Sequence, residues 1–310
     1  MSAAGAAISA VYEIVGRSAD RDGWLRDRLS GIGASEIAGV LGESPYESPM
    51  SVYQAKVAPA DDDEDSEHLF WGLELEPAIV GGYAKRTGRK AVHSGALLRS
   101  VEHQWALCTL DAWTTDDLDS GIWWPLEIKN IHLMAADQWL EGTPRHIYLQ
   151  VQHQMLVTGA AKVTAAGLVG GGQLMWEDIA RDEQEIRRII ARGSAFWHER
   201  VLPRNPPPAD GHNATKDALL RMHPNDDGET VHLDSDFFDL DQERIELKAT
   251  VKACSERLGL IDNHIRAAIG DASYGELPDG TTYSYKAQSR REHVIKASTT
   301  RVLRRHERKD

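Results

Sequence analysis

The stretch LCTLDAWTTDDLDSGIWWPLEIK, residues 107–129, decides the fold of this 310-residue chain. Residues 107–113 and 122–128 have the apolar, β-branched and aromatic composition of strands. Residues 116–121 between them carry the Asp, Ser and Gly that favour a turn. The stretch therefore predicts a β-hairpin in the middle of the chain.

The second strand of this hairpin places an acid and a lysine on one face. A period of two sets Leu126 and Ile128 on one side, and Glu127 and Lys129 on the other. Asp111 lies at a comparable depth on the first strand, and hard cations such as Mg²⁺ prefer carboxylate and carbonyl oxygens. We expect a metal-dependent phosphodiesterase site here, in which the lysine orients or deprotonates the attacking water. A surface salt bridge on a half-exposed strand is the alternative.

Two further groups are candidates for the same site. Glu76 is a third acid in the first turn of a helix predicted to start near Leu75-Glu76-Pro77, where its alternative role is a favourable interaction with the helix dipole. Gln150, Gln152 and Gln154 lie on another predicted helix that packs beside the hairpin. Their amides could hydrogen-bond the lysine or a DNA backbone, or they could form an exposed polar face.

A second cluster precedes the hairpin in the sequence. Trp24 and Arg28 are four residues apart, on one face of a helix that Asp22 is predicted to cap. Ser35 falls at the N-cap of the next short helix, whose free N–H groups can bind a phosphate with Arg28 as a charged partner. Trp24 offers a flat surface for a terminal base. The alternative is a capped helix with a core tryptophan.

The composition excludes several other classes of protein. Cys108 and Cys254 are the only two cysteines, too few for a disulfide framework or a Cys-rich zinc module, and they favour a reducing compartment. No run approaches ~18 apolar residues, so no membrane span is predicted, and the N-terminus lacks the basic start of a signal peptide. The net charge of −13, from 35 basic and 48 acidic side chains, argues against nonspecific coating of nucleic acid.

The order of the predicted elements indicates an α/β fold, a short mixed β-sheet flanked by helices. We expect a core over residues 1–202, a Pro-rich linker over 203–212, and a C-terminal extension over 213–310. The extension is predicted as a long helix over 236–269, a hairpin whose turn is at 278–281, and a basic tail. The tail could add DNA contacts, support subunit packing or stay free. The acidic run at 61–67 is expected to be a solvated loop.

A series of motifs follows one order over residues 21–172. They are Trp24-x3-Arg28, Ile32-Gly33-Ala34-Ser35-Glu36, Ser44-Pro45-Tyr46, Trp71-Gly72-Leu73-Glu74-Leu75-Glu76-Pro77, Thr109-Leu110-Asp111, Leu126-Glu127-Ile128-Lys129 and Tyr148-Leu149-Gln150-Val151-Gln152-His153-Gln154. In this combination the chain resembles the YqaJ-type viral recombinase, or lambda-exonuclease-like, family. The resemblance implies a restriction-endonuclease-like core of the PD-(D/E)xK nuclease superfamily. It also implies a 5′→3′ exonuclease that degrades linear double-stranded DNA to 5′-mononucleotides and leaves 3′ single strands for annealing recombination.

The resemblance also implies roles for individual residues. The catalytic set would be Glu76, Asp111, Glu127, Lys129 and Gln150. The three acids and the Ile128 carbonyl would hold Mg²⁺ or Mn²⁺, with two ions expected. Arg28 with Ser35 would bind the 5′ phosphate, and Trp24 would meet the terminal base pair.

Partners and setting follow from the same resemblance. Family members of the phage type form ring-shaped homotrimers that thread DNA and work with a single-strand annealing protein. We expect the same partners here, with double-stranded DNA ends as substrate and no membrane. The expected location is the cytoplasm of a bacterial host, with phage or prophage as the source.

Two departures from the family pattern leave rival functions open. The usual Ser-Pro-Asp-Gly around the metal-binding aspartate is Thr109-Leu110-Asp111-Ala112 in this chain, and the loop that follows is longer than in the shortest relatives. Neither change removes a catalytic group. A structure- or sequence-specific DNA endonuclease of the same superfamily is one rival. A catalytically silent protein that binds DNA ends is the other.

Overall fold

The computed structural model describes residues 11–59, 67–289 and 300–306. The acidic run apart from Glu67, and the basic-tail residues Arg290, Arg291, Lys296, Arg308 and Lys309, lie outside the described residues. The chain divides into two compact units, residues 1–224 and 225–310.

The first unit is built on one seven-stranded sheet. Its strands are β1 (Tyr12–Arg17), β2 (Ile32–Gly33), β3 (Lys90–Ser100), β4 (Ala106–Thr115), β5 (Trp124–Ile131), β6 (Lys162–Val169) and β7 (Gln173–Ala180). Their spatial order is β1-β3-β4-β5-β6-β7, with β2 attached to β4. The β5–β6 and β2–β4 pairs are parallel, and the remaining described pairs of this sheet are antiparallel.

Helices cover both faces of this sheet. They are α1 (Arg21–Arg28), α2 (Ile37–Val40), α3 (Pro49–Val57), α4 (Glu67–Thr87), α5 (Asp137–Leu140), α6 (Arg145–Thr158), α7 (Glu183–Phe196) and α8 (Asn213–Met222). Short 3₁₀ turns lie at Ala34–Glu36 and Leu133–Ala135, and a π turn at Trp197–Val201 extends α7.

The two faces of β5 have different neighbours, and this separation positions the site. Leu126 and Ile128 pack beneath α4 in a cluster with Ile79 and Tyr83. The larger core lies around α6, where Met155 is fully buried. The expected mixed α/β fold, a β-sheet flanked by helices, is confirmed, and α4, β3, β4, β5, α6 and β6 form the part of it that carries the predicted site.

Two helix starts differ from the sequence-based expectation. Helix α1 is capped by Asp20, whose side chain accepts a hydrogen bond from the Gly23 N–H at 3.1 Å, and not by Asp22. Helix α4 begins at Glu67, about two turns before the predicted start, because the residues ahead of Pro77 continue the helix. A proline inside a helix removes one main-chain hydrogen bond without always ending the helix. Glu76 therefore lies in the middle of α4 and does not stabilise a helix end.

The first compact unit extends beyond the Pro-rich segment at 203–212, where the sequence predicts a linker. Helix α8 packs against α3, and the Thr215 hydroxyl donates to the Ser48 hydroxyl at 2.7 Å. The Arg221 guanidinium donates to Gln54 Oε1 at 3.0 Å. These contacts join α8 to the core, so the compact unit ends at Pro224.

The second unit consists of one long helix and a small hairpin. Helix α9 (Asp236–Ile269) has the bounds that the sequence predicts. Strands β8 (Tyr274–Glu276) and β9 (Thr282–Ser284) pair antiparallel around the predicted turn. Across the described ranges of both units, no helix has the length and apolar character needed to cross a membrane.

Candidate active site

The site lies where β4 and β5 separate. Their main-chain pairing ends at Ala112 opposite Leu126. One residue further along, Asp111 Oδ2 accepts a hydrogen bond from the Ile128 N–H at 2.7 Å. A carboxylate oxygen thus replaces the main-chain carbonyl as the partner of this N–H group. The two strands diverge at this point, and Asp111 is fixed against the strand that carries Glu127.

Glu127 is held by three donors inside the protein. Its side chain is 2% exposed, and its Oε1 accepts from Gln150 Nε2 at 2.6 Å and from the Lys129 ammonium. Its Oε2 accepts from Gln154 Nε2 at 2.5 Å. A buried carboxylate needs such partners because it has lost its water. Gln150 and Gln154 are one turn apart on α6, so together they fix both oxygens of the acid.

The charges in this site are coupled. Burial raises the pKa of Asp111 well above its usual range, and the nearby carboxylates of Glu127 and Glu76 raise it further. Burial lowers the pKa of Lys129, but the surrounding carboxylates, with Glu127 first, outweigh burial and leave this pKa above its ordinary value. Lys129 is therefore an ammonium at neutral pH, which favours the orienting role over the role of a general base.

Helix α4 brings the third acid to the same place. Burial raises the pKa of Glu76. The charge of Glu127 raises this pKa further and the charge of Lys129 lowers it, so Glu76 lies within electrostatic range of both residues on β5. Glu76 Oε1 lies 2.7 Å from His93 Nε2 on β3. The structure thus brings together the five side chains of the predicted catalytic set, although they are spread from position 76 to position 150.

The donor chemistry of this cluster fits a hard divalent cation. Three carboxylates surround one lysine, and a cation would neutralise the charge that raises the pKa of Asp111. As placed, the acids bind protein donors, and within residues 11–59, 67–289 and 300–306 no three Asp, Glu, His or Cys side chains form a ready metal-binding group. Charge and donor type therefore match such a cation, and its binding requires Glu76 or Glu127 to exchange a protein partner for it.

The N-terminal cluster is joined to the catalytic strand. The Trp24 indole N–H donates to the Thr109 hydroxyl at 3.2 Å. The Arg28 guanidinium lies 4.7 Å from the centre of the Trp24 ring, as expected for residues on one helix face. Thr109 is two residues before Asp111 on β4, so both side chains point to the same side of the strand. Trp24 and Arg28 consequently lie beside the acidic site.

The position of Ser35 differs from the expectation. It is exposed within the 3₁₀ turn and does not cap α2, which begins at Ile37 and is only four residues long. The Glu36 carboxylate ties this turn by accepting from the Gly33 N–H at 2.6 Å, and it lies 2.8 Å from the Lys56 ammonium. Its other oxygen lies 3.5 Å from Arg28. Phosphate binding at this place would depend on side chains, since α2 is too short to provide the helix N-terminus that the sequence predicts.

Sequence reasoning names Gln154 as a candidate without deciding its role, although its spacing of four from Gln150 indicates a shared helix face. Two other residues are missed altogether. His93 and Lys56 were not identified, because their partners Glu76 and Glu36 are 17 and 20 positions away and only tertiary packing brings them into contact.

Comparison with known proteins adds independent findings. Residues 23–161 match the family described as YqaJ-like viral recombinase domain. The chain is 27% identical over 260 residues to the uncharacterized protein YqaJ of Bacillus subtilis (strain 168), covering 82% of this chain and 80% of that protein. An alkaline exonuclease from Laribacter hongkongensis aligns with 57% of this chain and 91% of its own, at 21% identity and a TM-score of 0.46. A phage-related exonuclease from Haemophilus somnus 129PT aligns with 62% and 96%, at 12% identity and a TM-score of 0.40.

Proposed function

We propose that the chain is a metal-dependent deoxyribonuclease acting on DNA ends and a member of the YqaJ-like viral recombinase domain family, whose model matches residues 23–161. The observation that carries the proposal is the buried Glu127, held by Lys129, Gln150 and Gln154 beside Asp111. The alternative, a surface salt bridge on a half-exposed strand, would not require the acid to be buried or to accept hydrogen bonds from two amides. The family match and this cluster together support a nuclease role.

The reaction we propose is hydrolysis of the 5′-terminal phosphodiester. Mg²⁺ or Mn²⁺, with two ions proposed, would supply Lewis-acid stabilisation of the charge that develops on the phosphate. Glu76, Asp111, Glu127 and the Ile128 carbonyl would hold the metal. The protonated Lys129 would orient the attacking water and the scissile phosphate, while Gln150 and Gln154 keep the Glu127 carboxylate in place.

The N-terminal cluster would select the DNA end. Arg28 would exchange its long 3.5 Å contact with Glu36 for a charged hydrogen bond to the 5′ phosphate, with the exposed Ser35 hydroxyl beside it. Trp24 would stack on the terminal base pair. With these contacts to the DNA end, the enzyme would act as a 5′→3′ exonuclease that releases 5′-mononucleotides and leaves a 3′ single strand. A ring-shaped homotrimer and a single-strand annealing protein remain part of the proposal through the family resemblance.

The test follows linear, 5′-phosphorylated duplex DNA with Mg²⁺ or Mn²⁺, beside a covalently closed circular duplex. Wild type and Lys162→Ala are expected to release mononucleotides from the linear substrate only, and Lys129→Ala to release none. Lys162 is a matched control because it lies on β6 and pairs with Asp178 at 2.9 Å, and not with Glu76, Asp111 or Glu127 of the proposed site. A chelator is expected to stop the reaction.

The other outcomes would either select a rival function or remove the site assignment. Cleavage of the closed circle by wild type replaces the exonuclease with an endonuclease. If the protein binds DNA ends but cleaves no DNA with either cation, the exonuclease proposal gives way to a catalytically silent end-binding protein. Equal activity of Lys129→Ala and wild type removes the site assignment.

A further inference from the structure

Helix α9 carries an apolar stripe with a seven-residue period, which the nuclease proposal does not use. The first position of this repeat, called a, falls on Phe237, Val251, Leu258 and Ile265, with Arg244 as the exception in the second repeat. A helix of 34 residues is about 51 Å long, so this stripe is far longer than a core contact of an ordinary helix needs.

The fourth position of the repeat, called d, is also occupied by small or apolar residues. It falls on Leu240, Leu247, Cys254, Ile261 and Ala268. Strict seven-residue spacing drifts by about 20° per repeat on a straight helix, so it keeps one face in contact only in a left-handed supercoil. Five consecutive repeats exceed the ~3–4 that indicate a coiled coil.

This stripe is open to solvent in the described part of the second unit. Leu240, Leu247, Val251 and Leu258 are each more than half exposed, and α9 contains no buried residue. Exposed leucines at a and d along the whole helix are costly in water unless another surface covers them. A face of this shape and period fits a second helix of the same kind.

The charges that flank the stripe identify this partner. In a parallel, in-register pair, the g position of one helix faces the e position of the next repeat on the other helix. Glu243 at g then meets Lys248 at e of the second copy, and Arg257 at g meets Asp262, which also binds Arg266 at 3.2 Å in its own helix. An antiparallel pair sets g against g and e against e, which removes both matches.

The remaining charges of the stripe are consistent with this arrangement. Asp236 would face Asp241 of the second copy, a like-charge pair, but Asp241 is neutralised in its own chain by Arg305 at 2.9 Å. Arg244 at an a position enters a hole lined by Glu243 of the second copy. A single polar residue at a fixes register at a cost in stability.

We propose that α9 is a self-association helix that forms a parallel, in-register coiled coil with the same helix of other copies of this chain. The inference is independent of the nuclease proposal, because it uses only the second unit. It assigns the C-terminal extension the role of holding copies of the chain together.

Site-directed disulfide crosslinking of the full-length protein tests the arrangement. In a Cys254→Ser background, Leu240→Cys places a thiol at a d position, and Gln242→Cys places the matched control on the opposite face of the same turn. Cys108, the remaining cysteine, is buried. Mild oxidation is expected to give covalent dimers about tenfold faster from Leu240→Cys than from the control, because only parallel pairing brings the two copies of position 240 together.

A charge swap tests the register. Lys248→Glu in the Leu240→Cys protein is expected to lower the crosslinking rate several-fold, and adding Glu243→Lys to restore it, since these two positions face each other only between helices. Equal rates at positions 240 and 242 would overturn the proposal and show that the stripe docks on another surface. Failure of the second substitution to restore crosslinking would overturn the parallel register.

Discussion

Gln154→Met tests whether Gln154 positions Glu127, the proposed catalytic acid, or merely packs against it. The substitution removes the 2.5 Å hydrogen bond from Gln154 Nε2 to Glu127 Oε2 and keeps the length of the side chain. Gln154 Oε1 is buried and has no hydrogen-bond partner in the described structure, so methionine also removes an unsatisfied polar atom. We therefore expect little loss of folding stability.

The effect on catalysis can be estimated from the bond that is lost. A hydrogen bond to a charged group contributes about 1.5–3 kcal/mol, and this loss in the transition state corresponds to about a 10- to 150-fold lower kcat. KM for the DNA end should stay within about twofold, because Gln154 is fully buried, contacts Glu127 and is not part of the N-terminal cluster of Trp24 and Arg28.

Gln152→Met is the matched control on the same helix. Gln152 is equally buried, but it donates to the Ala180 carbonyl and accepts from the Asp182 N–H, both at 2.9 Å. We expect the control to lose stability and to keep its kcat. The assay is mononucleotide release from a 5′-phosphorylated duplex, with thermal unfolding measured in parallel. A kcat within twofold of wild type for Gln154→Met, or equal losses of kcat in both variants, would refute the positioning role.

Three further outcomes are expected. Burial and the nearby charge of Glu36 raise the pKa of Glu47 from its ordinary range to about 7, so the folded protein holds a proton there that the unfolded chain has released. The free energy of unfolding is then highest below about pH 4.5. It falls by at most roughly 3 kcal/mol as the pH rises from there through 7. Denaturant unfolding of Glu47→Gln should remove this slope, and an unchanged slope would show that another group titrates. Gly193→Ala places a methyl group against the Trp105 ring and should cost about 1–3 kcal/mol of folding stability by calorimetry, whereas Gly81→Ala meets no atom and should stabilise by about 0.5–1 kcal/mol. Arg28→Gln should reduce the preference for 5′-phosphate over 5′-hydroxyl ends by about 10- to 100-fold in kcat/KM, and an unaltered preference would place the phosphate site elsewhere.

Local patterns in the sequence were sufficient for the parts of the site that depend on one element. The period of two in β5 put Glu127 and Lys129 on one face, and the structure shows them paired. The i to i+4 spacing in α1 put Trp24 beside Arg28, and their cation–π contact follows from it. These relations depend on the geometry of one strand or one helix, so a sequence contains them directly.

Relations between distant elements were not predictable in the same way. The sequence showed that Asp111 and Glu127 share a hairpin, but only the structure shows that the Asp111 carboxylate replaces the ladder partner of Ile128 and opens the strands. The predicted start of α4 is wrong because a proline signals a helix start locally. Packing against the sheet lets the helix begin earlier, at Glu67, and continue through Pro77.

The sequence by itself determined the residue types, their faces and their order along the chain, which sufficed to predict the fold class and the family resemblance. The tertiary structure decided which partner each charge has. Glu76 meets His93, Arg28 meets Glu36, and Thr215 joins α8 to Ser48 across 167 positions. The physical reason is that such contacts depend on how the sheet, α4 and α6 pack together, and packing is a property of the whole core that no short pattern in the chain contains.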